Sequence, residues 1–183
     1  MNSMSRCCVA LCAALLAACA GPVVAPVPPA FDLTGRIAVR FQNRGFTSAV
    51  RWKWQSGSDE IWLTAPLGQT IAYLQVDAAG AMLTAADQKQ YRASSIESLT
   101  RSALGWPFPV AGVRYWVLGQ PAPGMELTAV ERNDAGRITR FRQGDWQVAF
   151  NYAATGLTPS RLEIVSSDAN IRFVIDRWTP AQP

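Results

Sequence analysis

Apolar and polar residues alternate along most of the chain after residue 30. Between Phe31 and Phe41 the odd positions are mostly apolar and the even positions mostly polar, and the same period of two returns between Trp146 and Tyr152. A period of two places the apolar side chains on one face of a strand. We predict roughly ten strands, over residues 31–41, 50–55, 61–63, 71–76, 81–86, 126–131, 137–142, 146–152, 162–165 and 171–175.

Short polar turns join these segments, which favours antiparallel pairing of neighbours. Asn133-Asp134-Ala135-Gly136 and Ser167-Asp168-Ala169-Asn170 are two such turns. An antiparallel sheet of about ten strands must curl or close on itself. We therefore expect a mainly β protein whose sheet is strongly curled.

The middle of the chain follows a helical period instead. Ser94-Ser95-Ile96-Glu97 resembles a capping box, and residues 96–104 carry apolar side chains at helical spacing up to Gly105. A second short helix is predicted around residues 113–117, ending at Gly119. Two short amphipathic helices must bury their apolar faces, and the curled sheet is the only partner predicted for them.

Two charged stretches have alternative interpretations. Arg51-Trp52-Lys53-Trp54 combines cations with aromatic rings, as nucleic-acid-binding segments do. No other basic run accompanies it, so we interpret it as a solvated strand face opposite a tryptophan-rich one and expect no nucleic-acid partner. The adjacent carboxylates Asp59 and Glu60 would point to opposite faces of a strand, which makes a poor acid-base pair; we assign them to a polar turn.

The N-terminus predicts export and lipid attachment. Arg6 precedes a twelve-residue apolar run, Cys7–Ala18, which is too short to span a bilayer but has the length of a signal-peptide core. Leu16-Ala17-Ala18-Cys19 resembles the bacterial lipobox. That motif implies cleavage before Cys19, with diacylglycerol on its sulfur and an acyl group, such as palmitate, on its new amino terminus. No Asp follows Cys19, which in enteric bacteria directs a lipoprotein to the outer membrane.

Composition excludes several classes of active site. The chain has no histidine, and its four cysteines all lie at or before Cys19. Ser-His-Asp and Cys-His catalysis and the commonest metal ligand are therefore ruled out, and the mature chain has no pair of cysteines for a disulfide. We expect no enzymatic activity, no metal and no cofactor.

We divide the chain into three parts. Residues 1–18 are the predicted signal peptide, and residues 19–30 are the lipidated cysteine with an uncharged, proline-rich tether. Such a tether is extended and semi-rigid. Residues 31–183 form one domain, large enough for its own core.

Several segments of this domain together resemble the LolB family of outer-membrane lipoproteins. Each segment is weak alone, but their order and spacing behind a lipobox make the resemblance specific. The segments are Leu33–Val39, Trp52–Gln55, Leu63–Gly68, Gly105–Val110, Arg114–Pro121 and Val174–Trp178.

The resemblance implies an open antiparallel β-barrel of about ten to eleven strands, with a helical lid over an apolar cavity that takes acyl chains. It also implies a receptor that accepts lipoproteins from the periplasmic carrier LolA and inserts them into the outer membrane. Nucleotide hydrolysis is not expected, since the chain has no Gly-x-x-x-x-Gly-Lys-Ser/Thr loop. The expected partners are LolA, client lipoproteins and outer-membrane lipid, and the expected state is a monomer.

The residues alone leave open whether the sheet encloses a cavity or a filled core. In the second case the chain would be a lipid-anchored structural or assembly protein of the envelope. A lipid-anchored hydrolase is the third alternative, and the lack of histidine disfavours it. From their alternation and the predicted lid, we expect part of the following set to line a cavity: Ile37, Val39, Trp52, Trp54, Ile61, Leu63, Leu99 and Trp116.

Pro66-Leu67-Gly68 places a large apolar side chain in a turn, where polar residues are usual. Leu67 could fold back onto the sheet. In the family resembled, the corresponding loop protrudes and its leucine touches the membrane during delivery, so the resemblance implies that role for Pro66, Leu67 and Gly68.

Overall fold

All strand pairs are antiparallel in the computed structural model, which describes residues 28–42, 44–104 and 107–180. Strands alternate between buried and exposed side chains, as the period of two predicts. The eleven strands are β1 Phe31–Phe41, β2 Arg44–Gln55, β3 Ser58–Thr64, β4 Thr70–Asp77, β5 Gly80–Ala85, β6 Gln90–Ala93, β7 Leu127–Arg132, β8 Ile138–Gln143, β9 Trp146–Tyr152, β10 Pro159–Val165 and β11 Ala169–Pro180.

The strands form one sheet in the order β6-β5-β4-β3-β2-β1-β11-β10-β9-β8-β7. Each strand pairs with the next one in sequence, except that β6 does not pair with β7. β1 also pairs with β11 and thereby joins the two halves. Gly35 lies at a bulge in this junction, where a Cβ would come within 2.1 Å of the Val174 carbonyl oxygen. β6 and β7 are left as the two edges, so the sheet stays open.

Two helices lie in the connection between these edges. α1 is Ile96–Leu104 and α2 is Val110–Trp116. α1 packs mainly on β5 and β6, and α2 buries Val110, Gly112 and Val113 toward the core. The helices thus cover one face of the sheet, which we call the concave face, and the predicted mainly β fold with a helical cover is confirmed.

The two faces of β2 differ as the sequence indicates. Trp52 and Trp54 are buried on the concave face, while Arg51 is exposed and Lys53 half-buried on the opposite, convex face. Arg51 forms an ion pair with Asp32 on the adjacent strand β1. The interpretation of this stretch as a solvated strand face is confirmed.

Two details differ from the sequence prediction. β6 has no clear period of two in the sequence, because its four residues are mostly polar and it pairs only with β5 at the edge of the sheet. The cap of α1 is Ser95 rather than Ser94: its Oγ accepts a hydrogen bond from the Ser98 amide at 3.2 Å. The helix begins one residue later than the capping-box pattern places it.

The assignment of Asp59 and Glu60 to a polar turn is wrong. Both lie inside β3, opposite Trp54 and Lys53 of β2. They do face opposite sides of the sheet, and Asp59 is completely buried on the concave side. The turn consists only of Ser56 and Gly57, which both have positive φ.

Part of the sequence prediction falls on residues outside the described ranges. These are the signal peptide, Cys19, most of the tether, and Gly105 as the end of the first helix. The structure begins at Pro28, whose carbonyl oxygen accepts a hydrogen bond from Trp54 Nε1 at 3.2 Å.

Candidate functional site

A cavity lies between the concave face and the helices. Its walls are apolar apart from one threonine hydroxyl, and no titratable side chain lines it. The sheet supplies most of the wall, and the helical segment supplies Thr100, Phe108 and Val110. The lining residues from the sheet are Ile37, Phe46, Val50, Trp52, Ile61, Leu63, Leu74 and Phe173.

The cavity is nearly closed in this conformation. The space open to a water-sized sphere is about 50 Å³, which suffices for a few waters at most. Phe46 is the most exposed lining residue, at 38%, and Leu63 is half-buried. Phe46 lies near the start of β2 and Leu63 near the end of β3, and these two strand ends are adjacent because the strands are antiparallel. That end of the cavity is therefore the one nearest solvent.

The eight residues proposed for the cavity occupy three different places. Ile37, Trp52, Ile61 and Leu63 line it. Val39 is buried near an open cleft at the end of β1. The other three are buried elsewhere and do not line the cavity: Trp54, Leu99 and Trp116.

A buried ion pair holds α2 on the sheet. Arg114 of α2 donates two hydrogen bonds to the Asp59 carboxylate, from Nε to Oδ1 at 3.2 Å and from Nη2 to Oδ2. Trp52 Nε1 donates to the same Oδ1 at 2.9 Å. The Arg114 guanidinium also lies 3.9 Å from the ring centroid of Trp54. Asp59 therefore has its charge compensated and its lone pairs used, as a fully buried carboxylate requires.

A second polar contact holds the other end of α2. Trp116 Nε1 donates to Gln143 Oε1 at 2.9 Å, and the same amide group bonds the backbone N–H and C=O of Ala122. Gln143 is almost fully buried on β8. α2 is thus tied to both halves of the sheet, through β3 and through β8.

α1 has a different kind of attachment. Thr100 Oγ1 donates to the Ile96 carbonyl within the helix and accepts from the Phe108 amide at 2.8 Å. The second of these bonds links α1 to the segment leading into α2, at the wall of the cavity. α1 otherwise rests on β5 and β6, which form one edge of the sheet.

Leu67 stands at the tip of the loop between β3 and β4, with 87% of its surface exposed. The Gly68 amide donates to the Ala65 carbonyl at 2.9 Å, which makes Ala65–Gly68 a four-residue turn. Pro66 suits the second position of such a turn, and Gly68 follows with φ +87°. The turn therefore directs the Leu67 side chain away from the sheet.

Leu157 is equally exposed, at 89%, in the loop between β9 and β10. Strand direction places the two leucines at opposite ends of the strands. Leu67 lies at the end of the sheet where β1 and β3 end, and Leu157 lies at the end where β1 begins. The more exposed end of the cavity is the one near Leu67.

Sequence reasoning missed several residues of this site. Asp59, Arg114 and Gln143 give no periodic signal, because each is polar and its partner is distant in sequence. No group of three or more potential metal-ligating side chains occurs in the described part of the chain. Within those same ranges, no helix has the length and apolar character needed to cross a membrane.

The open sheet with its helical cover occurs in a known structure. A solved LolA superfamily protein from Nitrosomonas europaea matches with a TM-score of 0.51 and 9% identity, over 85% of this chain and 87% of that one. The chain therefore shares the fold of that protein, an open antiparallel sheet covered by helices.

The amino-acid sequence identifies the family. Residues 29–178 match the family model described as outer membrane lipoprotein LolB. The chain belongs to this family. Two outer-membrane lipoproteins LolB are similar to it: one from Nitrosomonas europaea is 37% identical over 90% of this chain and 87% of its own, and one from Thiobacillus denitrificans is 34% identical over 85% and 83%. The expected family is confirmed.

Proposed function

We propose that this chain is the outer-membrane receptor that accepts lipoproteins from the periplasmic carrier LolA and inserts them into the outer membrane. The observation that carries this proposal is the apolar cavity under the lid, whose walls hold no charged group. Burying an acyl chain contributes about 0.8 kcal/mol per methylene. An apolar cavity is the environment in which such a chain is shielded from water.

The cavity must widen to serve this purpose. Its present volume is far below that of an acyl chain, and three of its lining residues belong to the helical cover. Acceptance therefore requires the lid to move, and the energy for that motion comes from burying the acyl chains rather than from a nucleotide. Transfer proceeds toward the receiver when its cavity binds the chains more tightly than the carrier does.

The N-terminal assignments complete the proposal. Residues 1–18 are removed as a signal peptide, Cys19 carries the lipid, and residues 19–30 tether a monomeric domain that starts at residue 31. The start of β1 at Phe31 supports this boundary. The position of the chain at the outer membrane follows from its family.

Cys19→Ala is expected to give a full-length or differently cleaved chain without acyl groups. The thiolate sulfur is the group that accepts diacylglycerol, and alanine has none. Mass spectrometry of the membrane-extracted protein measures the result. A wild-type mass without acyl groups would contradict the lipidation, while Cys12→Ala is the control that should leave the mature mass unchanged.

Leu63→Gln is expected to weaken acyl binding about tenfold, because an amide without a partner on the cavity wall costs about 1–3 kcal/mol. Leu63 is half-buried, so the loss in stability should be about 1 kcal/mol. The measurement is transfer of a labelled lipoprotein from LolA to the purified receptor, together with binding of a hydrophobic fluorescent probe.

Leu127→Gln is the matched control, since Leu127 is an exposed leucine of β7 that does not line the cavity. It should transfer lipoproteins like the wild type. If neither variant changes transfer or probe binding, Leu63 does not contact the acyl chains. A wild type that neither accepts a lipoprotein nor binds the probe would favour the alternative of a structural lipoprotein with a filled core.

A further inference from the structure

A shallow cleft opens on the convex face of the sheet, outside the cavity. Its volume is about 350 Å³, and it crosses the strands β2, β1 and β11 near the end of β1. Small residues form its floor: Ala38 lies opposite Thr47 on β2, and Gly45 lies opposite Arg40. Larger side chains at these positions would fill the cleft.

Two arginines border this floor. Arg40 is exposed and pairs in register with Gly45 on one side and Asn170 on the other. Arg172 lies opposite Ala38 in the next row of the same face. Their guanidinium groups therefore stand on the same side of the sheet, one pleat apart.

One guanidinium group of this cleft is unpaired. Arg40, which lines the cleft, forms no ion pair and no side-chain hydrogen bond with another described residue. Two carboxylates lie nearby. Asp168, in the turn before Asn170, accepts a hydrogen bond from the Gln42 amide with its backbone oxygen at 3.1 Å, and its side chain forms no ion pair with another described residue. Glu163 Oε1 accepts hydrogen bonds from Asn170 Nδ2 at 3.2 Å and Arg172 Nε at 3.1 Å. These bonds lower the pKa of Glu163, and its carboxylate compensates Arg172, so Arg40 is the unpaired cation of the cleft.

The position of the cleft relates it to Leu67. β1 and β3 both end on the side of the sheet where Leu67 lies. Thr64, at the end of β3, is paired with Ala49 of β2, which is paired with Arg36 of β1. β1 continues five residues beyond Arg36, so the loop that carries Leu67 and the cleft with Arg40 lie at the same ends of the strands. A bilayer touched by Leu67 is therefore on the side of the molecule where the arginines are.

We propose that this cleft binds the phosphate of an anionic phospholipid headgroup and forms a second membrane contact beside Leu67. The inference rests on the proposed function, in that the domain works at a membrane surface. Guanidinium groups match phosphate oxygens with paired N–H donors, and the small floor lets a phosphate approach them. Leucine in the hydrocarbon and arginine at the phosphates together fix how the domain is oriented.

The test uses the lipidated full-length protein in vesicles of phosphatidylcholine alone or mixed with phosphatidylglycerol. An environment-sensitive fluorophore on Gln69→Cys reports whether the loop enters the bilayer, because acylated Cys19 leaves no other free thiol in the mature chain. The ratio of inserted to free loop is expected to be severalfold higher in the mixed vesicles. Arg40→Gln and Arg172→Gln should each lower it about fivefold, and added salt should lower it as well.

Arg177→Gln is the matched control. Arg177 lies on β11, as Arg172 does, but near the opposite end of the strand, so its replacement should leave the ratio unchanged. Inorganic phosphate and chloride at the same ionic strength test whether the cleft is specific for phosphate. Stronger inhibition of loop insertion by phosphate than by chloride indicates a phosphate-specific cleft. Equal insertion in both kinds of vesicle overturns the inference. So does an unchanged lipid response in variants that instead lose acceptance from LolA, since the arginines would then bind an acidic protein. Failure of the proposed function would show separately, as a wild type that accepts no lipoprotein from LolA.

Discussion

Leu67→Glu is expected to block insertion of lipoproteins into vesicles while folding and acceptance from LolA remain as in the wild type. Leu67 is 87% exposed, so its replacement should change the free energy of unfolding by no more than about 0.5 kcal/mol. Burial of one leucine contributes roughly 1.5–3 kcal/mol. That is too little to anchor the domain but enough to hold the loop in the bilayer, and a carboxylate at the tip opposes it.

Two assays separate the steps of this reaction: transfer from LolA in solution, and release from the loaded receptor into liposomes. Leu157→Glu is the control, because it introduces the same charge at an equally exposed leucine at the opposite end of the strands. It should insert lipoproteins at the wild-type rate. Equal insertion by the two variants, or unfolding of Leu67→Glu, would show that the loop is only a turn.

Arg114→Met is expected to lower the free energy of unfolding by about 3–5 kcal/mol, because it leaves the fully buried Asp59 carboxylate without its counter-charge. Methionine retains most of the apolar stem that packs near Trp54, so loss of packing contributes little. The helix α2 loses its contact with β3 at the same time. Urea denaturation followed by tryptophan fluorescence measures the change.

The reciprocal variant Asp59→Asn should cost less, since Arg114 is partly exposed and its charge can be hydrated, while the asparagine oxygen can still accept from Trp52 Nε1. The double variant Asp59→Asn/Arg114→Met should recover much of the stability lost in Arg114→Met. Additive losses in the double variant would contradict a coupled buried pair.

The period of two was sufficient to predict most of the sheet. In β2 it separated Trp52 and Trp54 from Arg51 and Lys53 correctly, because one face of the strand is buried and the other solvated. It could not assign Asp59, because a polar residue after Ser56-Gly57-Ser58 has the local pattern of a turn. What buries Asp59 is Arg114, 55 positions away, and such a pairing leaves no local signal.

The cavity was harder to predict than the sheet. Periodicity identifies the face on which a side chain lies but not its position along the strand. Ile37 and Val39 share the concave face of β1, yet only Ile37 lines the cavity. Phe108 lines it from an irregular segment between the helices, where no periodicity exists. The exposure of Leu67 depends on the turn geometry of Ala65–Gly68, which the residue types allow but do not require.

The pairing of β1 with β11 has a consequence for the order of folding. Strands β2–β6 and β7–β10 are hairpins between sequence neighbours, so each half of the sheet can form from local contacts. The seam between the halves joins residues as distant as Arg36 and Asp176, which are 140 positions apart. Closing a loop of that length costs chain entropy before its contacts stabilise the product. The seam is therefore expected to form last, and a chain that ends before β11 keeps two sets of hairpins that lack the strand needed to join them into one sheet.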